Sequence, residues 1–442
     1  MPAGFLKHPF MSLHALEACD DNAMVRAMLA FELSLAEIQE ASGAVPQGVS
    51  QQMRTQLEHT AFDSEEIAAG IASGGNVAIP FVKHGRALLA DEIKRYWHQG
   101  ATSQDVVDSA LMLLLKPRLA ALDDLLQRCR SAATALMSAH ADTPMVGRTL
   151  MQQALPITFG VKVAHWAIGL EQARRRLSTV ELPVQFGGAV GVHSGWDVQG
   201  LEWMDALAER LGLDAPVLPW HTDRYPVHSL STALDAVAGA AEKIALDVAL
   251  LTQTEVGEVA EPSAPGMGDS SSMPHKRNPV RSALIRGAAR QVHGHTSVLL
   301  NAAAQPLERG LGEWHAEWAP LVDSALLVEG ALEQMAVLLE GLEVYPENMQ
   351  RNLAATGGGI MAEPVARLLS PRLGPDAAKA TSAEAAETAR LSGRPYLDVL
   401  AERPDVKSAV DTDALIKACN PALYLGSSTR QVERAKKWLN NE

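Results

Sequence analysis

Apolar residues recur alternately three and four positions apart along several stretches of the chain, which is the period of one helix face. One run is Leu115, Leu119, Leu122, Leu126, Cys129, Ala133 and Leu136. A second is Phe159, Val163, Trp166, Leu170, Ala173 and Leu177, and a third is Leu230, Leu234, Val237, Ala241, Ile244, Val248 and Leu251. A fourth is Leu321, Ala325, Val328, Leu332, Met335, Leu339 and Leu342, and residues 280 to 300 carry a fifth, less regular pattern. Each predicts an amphipathic helix of ~25 residues, about twice the usual length. Ala and Gly occupy several other faces, so helices can approach closely on more than one side. The pattern predicts an all-α fold with a central bundle packed at shallow angles, part of whose surface other subunits cover.

A shorter stripe, Met24, Met28, Phe31, Leu35 and Ile38, stops at Ser42-Gly43, a helix-ending pair. After about residue 346 the helical pieces are short, broken by glycines at 357–359 and by Pro371, Pro395, Pro404 and Pro421. The chain therefore reads as an N-terminal helical domain (1–113), a central long-helix bundle (114–345) and a small C-terminal helical domain (346–442).

Composition agrees with helices. Of 442 residues, 47% are hydrophobic and only 5% aromatic, and much of the apolar content is Ala and Leu. Lys and Arg total 38 against 52 Asp and Glu, a net charge of -14 with no basic run. Nucleic acid is thereby excluded as a partner, and any anionic ligand must meet cations gathered locally. The three cysteines have no metal-binding spacing. The N-terminus lacks a signal-peptide core, and no apolar run reaches about 18 residues. The expectation is a soluble cytoplasmic protein with no membrane partner.

The least helical segment lies between two long helices, GEVAEPSAPGMGDSSSMPHKRNPV at 257–280. Its prolines and glycines forbid a helix, and a loop of this length is expected to be a mobile binding element over 257–279. Three hydroxyls are followed by His275, Lys276, Arg277 and Asn278, and then by the start of the next helix, where free N–H groups stabilise a carboxylate.

DSSSMPHKRNP resembles the signature of the fumarase/aspartase superfamily, commonly G-S-S-x-M-P-x-K-x-N-P. Ser270 matches the first serine, and Lys276 and Asn278 match the K and N. HQGATSQD (98–105) resembles the superfamily's first active-site region and GRTLMQQALPITFG (147–160) its second. Within the superfamily, QFGGAVG, PWHTDR, TEVGEVAEPSAPG, LGEWHAEW and NPALYLG resemble the branch whose members close a lactone on a carboxylated muconate. Two positions depart from the wider pattern. Leu150 stands where the lyases usually have a His, in agreement with that branch, and Asp269 stands where the signature usually has Gly.

The resemblance implies a homotetramer in which each active site takes one region from each of three subunits. It implies a small polyanionic carboxylate as substrate and a reaction needing neither cofactor nor metal. One carboxylate adds across a C=C bond while the neighbouring carbon gains a proton, through a carbanion spread into an adjacent carboxylate. Such chemistry calls for fixed donors around that carboxylate and one well-placed acid.

By the same resemblance, Ser270 is expected to donate the proton and Lys276 and Asn278 to stabilise the charge. Thr102 and Ser103 are expected to bind another carboxylate, while Arg148, Thr149 and Gln152 hold the ring-closing end. His98 and Arg224 are expected to lie near substrate. Two other readings stay open: a lyase or cycloisomerase acting on another polyanion, such as a sulfonated muconate or a succinyl adduct, and a non-catalytic member. The His293 and His295 pair is not read as a metal site, because positions i and i+2 point to different helix faces.

Overall fold

The computed structural model describes residues 5–7, 9–263, 273 and 275–440. The expected long helices are present as Ser103–Ala139, Phe159–Leu177, Tyr225–Leu251, Val280–Asn301 and Glu313–Glu340, and the short stripe forms Asp21–Ala41. The second, third and fourth apolar runs are buried at every position named above. Along Ser103–Ala139 the buried line is Leu115, Leu122, Leu126, Cys129 and Ala133, and it ends on Met137 rather than Leu136. This helix starts a dozen residues ahead of its stripe. Asp105 accepts the Thr102 N–H at 2.9 Å and so caps it, directly after the HQGAT segment.

The all-α expectation is met, with two short antiparallel pairs added that apolar periodicity did not predict. Pro144–Thr149 pairs with Gln152–Thr158 in a hairpin whose last rung is Thr149 opposite Gln152. The ladder is irregular between Val146 and Arg148, where a Cβ on Gly147 would meet the Leu155 carbonyl at 2.9 Å. Glycine is what lets the two backbones close there. The second pair, Val259–Ala260 with Glu343–Val344, is two residues long on each side.

Two compact units emerge, each assembled from three separate stretches of chain. The first takes residues 1–126, 173–242 and 284–334, and the second takes 127–172, 243–283 and 335–442. Within the second, a C-terminal cluster packs Met361, Val365, Leu369, Ala385, Tyr396 and Leu400, all nearly inaccessible to solvent.

Candidate functional site

In the first unit the HQGATSQD segment leads into the N-terminus of Ser103–Ala139, where the helix dipole favours an anion. Thr102 Oγ1 accepts from Arg309 Nη1 at 2.6 Å and Ser103 Oγ from Arg309 Nη2 at 3.3 Å. The Arg309 guanidinium also lies over the Trp314 ring, 5.7 Å from its centroid. His98 adopts φ 61°, and its Nδ1 lies 2.6 Å from Glu32 Oε1. An ionised carboxylate can only accept, so Nδ1 carries the proton. Burial opposes a charge on His98, but the Glu32 carboxylate outweighs it, and the pKa stands above the ordinary imidazole value.

Asp105 holds this segment in place. Wholly buried, it accepts the N–H groups of Gly187 and Gly188 at 3.0 and 2.9 Å, Gln185 Nε2 at 3.1 Å and His221 Nε2 at 2.8 Å. Gly188 reaches that carboxylate at φ 72°, a backbone region that glycine enters without strain.

Arg224 lies in the first unit, buried. Its side chain is 1% exposed and forks between Asp108 (2.7 Å) and Glu317 (2.6 Å). Trp314 Nε1 adds a bond to Asp108 at 2.9 Å, and Gln305 Nε2 one to Glu317 at 3.0 Å. The guanidinium is thus enclosed by two carboxylates. Burial, only partly offset by Arg224, raises the pKa of Glu317.

In the second unit the hairpin carries Arg148, Thr149 and Gln152. Thr149 and Gln152 are exposed where the strands meet the turn. Arg148 donates both η nitrogens to Glu258, at 2.9 and 2.8 Å, and Asn352 Nδ2 donates to the same carboxylate at 2.8 Å. Glu258 is wholly buried, so the charge of Arg148 is already matched. Arg148 therefore enters the site as one half of an ion pair.

Ser270 and Asp269 lie outside the described residues, as does the rest of 264–272, so the expectation of a mobile element over 257–279 falls partly outside them. The loop's described end is well defined. Lys276 and Asn278 line a cleft of about 590 Å³ together with Glu261, Tyr345 and Asn348. Between them Arg277 donates to both oxygens of Glu343 (3.0 and 2.7 Å) and to the Glu261 carbonyl (2.9 Å). The Glu261 carboxylate in turn accepts Arg281 N–H (2.9 Å), Ser282 N–H (2.8 Å) and Ser282 Oγ (2.7 Å). The two arms of the loop are thus tied together at its base, and Lys276 is presented from a fixed backbone.

Sequence reasoning missed Glu32, Asp105, Glu258 and Arg309. Asp105 lay within a quoted motif, whereas Glu32 sits in an ordinary amphipathic helix and Arg309 stands alone in LERGLG. Only the fold brings these last two to the motif residues.

The fold is helical, with donor-bearing segments at a helix N-terminus in the first unit and on a hairpin and a proline-rich loop in the second. A family model described as lyase matches residues 17–294. The chain belongs to that family, within the fumarase/aspartase superfamily. It is 41% identical to a 3-carboxy-cis,cis-muconate cycloisomerase of Pseudomonas aeruginosa, across 96% of this chain and 94% of the relative. It is 38% identical to a nitrosuccinate lyase of Streptomyces davaonensis, across 95% and 91%. The crystal structure of the 3-carboxy-cis,cis-muconate lactonizing enzyme from Pseudomonas putida matches with a TM-score of 0.93 at 39% identity, covering 98% of each chain.

Proposed function

We propose that this chain is a cycloisomerase converting 3-carboxy-cis,cis-muconate to carboxymuconolactone. The observation that carries the reading is end-to-end likeness, 41% identity over 96% of the chain, to a cycloisomerase of that name. In the reaction, an oxygen of one terminal carboxylate bonds to the carbon bearing the 3-carboxyl group. The electron pair of that C=C moves onto the neighbouring carbon and into the carboxylate beside it, and a proton then closes the balance at that carbon. Ser270 supplies the proton in this reading, and Lys276 and Asn278 stabilise the dianionic carboxylate. Arg309, Thr102, Ser103 and the helix N-terminus bind a second carboxylate, with His98 alongside.

The same proposal includes a homotetramer with sites shared between subunits, a cytoplasmic location, and the three-part organisation with boundaries after 113 and 345. Supporting the assembly, Leu150 and Met151 at the hairpin tip are 96% and 66% exposed, an apolar surface suited to another copy. No helix of the described residues is long and apolar enough to cross a membrane.

The likeness to a nitrosuccinate lyase favours a second reading, elimination from a substituted succinate. Ultraviolet loss of the conjugated diene, with the product identified by proton NMR, tests the first reading. Conversion by the wild-type tetramer, abolished in Ser270→Ala, is the expected result. A folded tetramer that leaves the muconate untouched but releases nitrite from nitrosuccinate establishes the second.

A further inference from the structure

Beside the Arg148–Glu258 pair, the hairpin cavity holds a second cation, Lys162. A cavity of about 370 Å³ lies beside the hairpin tip, lined by Arg148, Leu150, Met151, Lys162, Asp247 and Gln253 among others. Lys162 stands in the first turn of Phe159–Leu177 and is partly buried. Among the described residues it makes no hydrogen bond or ion pair. Asp247, on the same wall, is engaged by Trp166 Nε1 at 2.8 Å and by the Lys243 ammonium.

We propose that Lys162 is the carboxylate-binding cation of this cavity, receiving one arm of a compact polycarboxylate whose carbon skeleton lies against Leu150 and Met151. Electrostatics supports the geometry. Burial lowers the Lys162 pKa, the charges of Lys243 and Arg148 act in the same sense, and those of Asp247 and Glu258 oppose it. A bound anion would add counter-charge and gain a charge-assisted hydrogen bond in a partly desolvated place. The volume suits a skeleton of a few carbons with two or three carboxylates. This assignment deepens the proposed polycarboxylate reading and rests on it. It moves the ring-closing grip from Arg148 to a residue twelve positions beyond Leu150, outside the pattern GRTLMQQ.

Calorimetric titration of the assembled protein with tricarballylate tests the site without turnover, using sulfate at matched ionic strength as a control for general anion effects. Lys162→Met is expected to weaken tricarballylate binding about 10- to 100-fold, the worth of a hydrogen bond to a charged group, and Lys162→Arg to recover part of it. In steady state, the KM for the muconate should rise by a similar factor with kcat changed less. An unpartnered lysine contributes no ion pair, so Lys162→Met should melt no lower than wild type. Unchanged tricarballylate binding in Lys162→Met overturns the proposal. So does a loss of folding in both Lys162→Met and Lys162→Gln, which would make the residue structural. If wild type binds tricarballylate through Lys162 but turns over no muconate, the reaction reading fails and the site stands.

Discussion

The Glu32 carboxylate, 1% exposed, meets the His98 imidazole at 2.6 Å across 66 residues of sequence. Because the folded pKa of His98 is raised, protonation favours the fold. That contribution is complete below the unfolded imidazole value of 6.5 and is lost as pH climbs through the folded one. Glu32→Gln removes the charge that raises the pKa. The melting temperature of wild type should therefore exceed that of Glu32→Gln most below about pH 6.5, with the gap narrowing as pH rises through the raised folded pKa. A gap of constant size across that range would refute the pairing.

The enclosed ions Asp108, Arg224 and Glu317 predict an asymmetry between substitutions. Arg224→Met leaves buried carboxylates uncompensated and should cost about 3–5 kcal/mol in urea unfolding, as breaking a buried pair does. Glu317→Gln should cost less, because Asp108 still pairs with Arg224 and burial already raises the Glu317 pKa. Equal shifts of the urea midpoint in the two variants would contradict this ordering.

Arg277 and Glu343 predict a kinetic rather than a thermodynamic effect. The Arg277 guanidinium holds the Glu343 carboxyl below the usual carboxylate range, with help from the Tyr345 hydroxyl. This pair lies at the surface, where ion pairs add little stability. Its consequence is the placement of Lys276. Glu343→Gln should lower kcat about 10- to 100-fold through misplacement of the ammonium, with unfolding little changed. Arg277→Lys should not restore the rate, since one ammonium cannot bridge both Glu343 oxygens and the Glu261 carbonyl. Normal kcat in Glu343→Gln would release Lys276 from dependence on this tie.

Helix identity was legible because long stripes such as Leu230 to Leu251 satisfy a single period at every step. The hairpin was not, because its buried residues Met145 and Val146 are adjacent, Pro156 and Thr158 alternate for a single step, and Pro and Gly break the pattern. Motif residues were legible as chemistry but not as geometry. Arg148 and Arg224 read as cations for a substrate, yet the carboxylates that neutralise them, Glu258, Asp108 and Glu317, are distant in sequence or an ordinary part of a helix face. Charge pairing at that range is a property of the packed chain. Conversely, Arg309 lies just ahead of the quoted LGEWHAEW stretch rather than in it, and only packing brings it to Thr102 and Ser103.

The hairpin tip is the point where local conformation and proposed function pull apart. Leu150 and Met151 take φ values of 48° and 64°, the left-handed pair that a two-residue hairpin turn needs and that Asn-Gly supplies with least strain. Two apolar side chains held there, outside their preferred backbone region and largely exposed, destabilise the isolated subunit. The replacement Leu150→Asn with Met151→Gly should therefore raise subunit stability by about 1 kcal/mol or more. Muconate turnover should fall about tenfold or further, the worth of one buried apolar side chain at the site. Thermal melts and steady-state rates on the same preparation separate the two effects. A variant that gains stability and keeps full activity would show that the strained tip serves no contact.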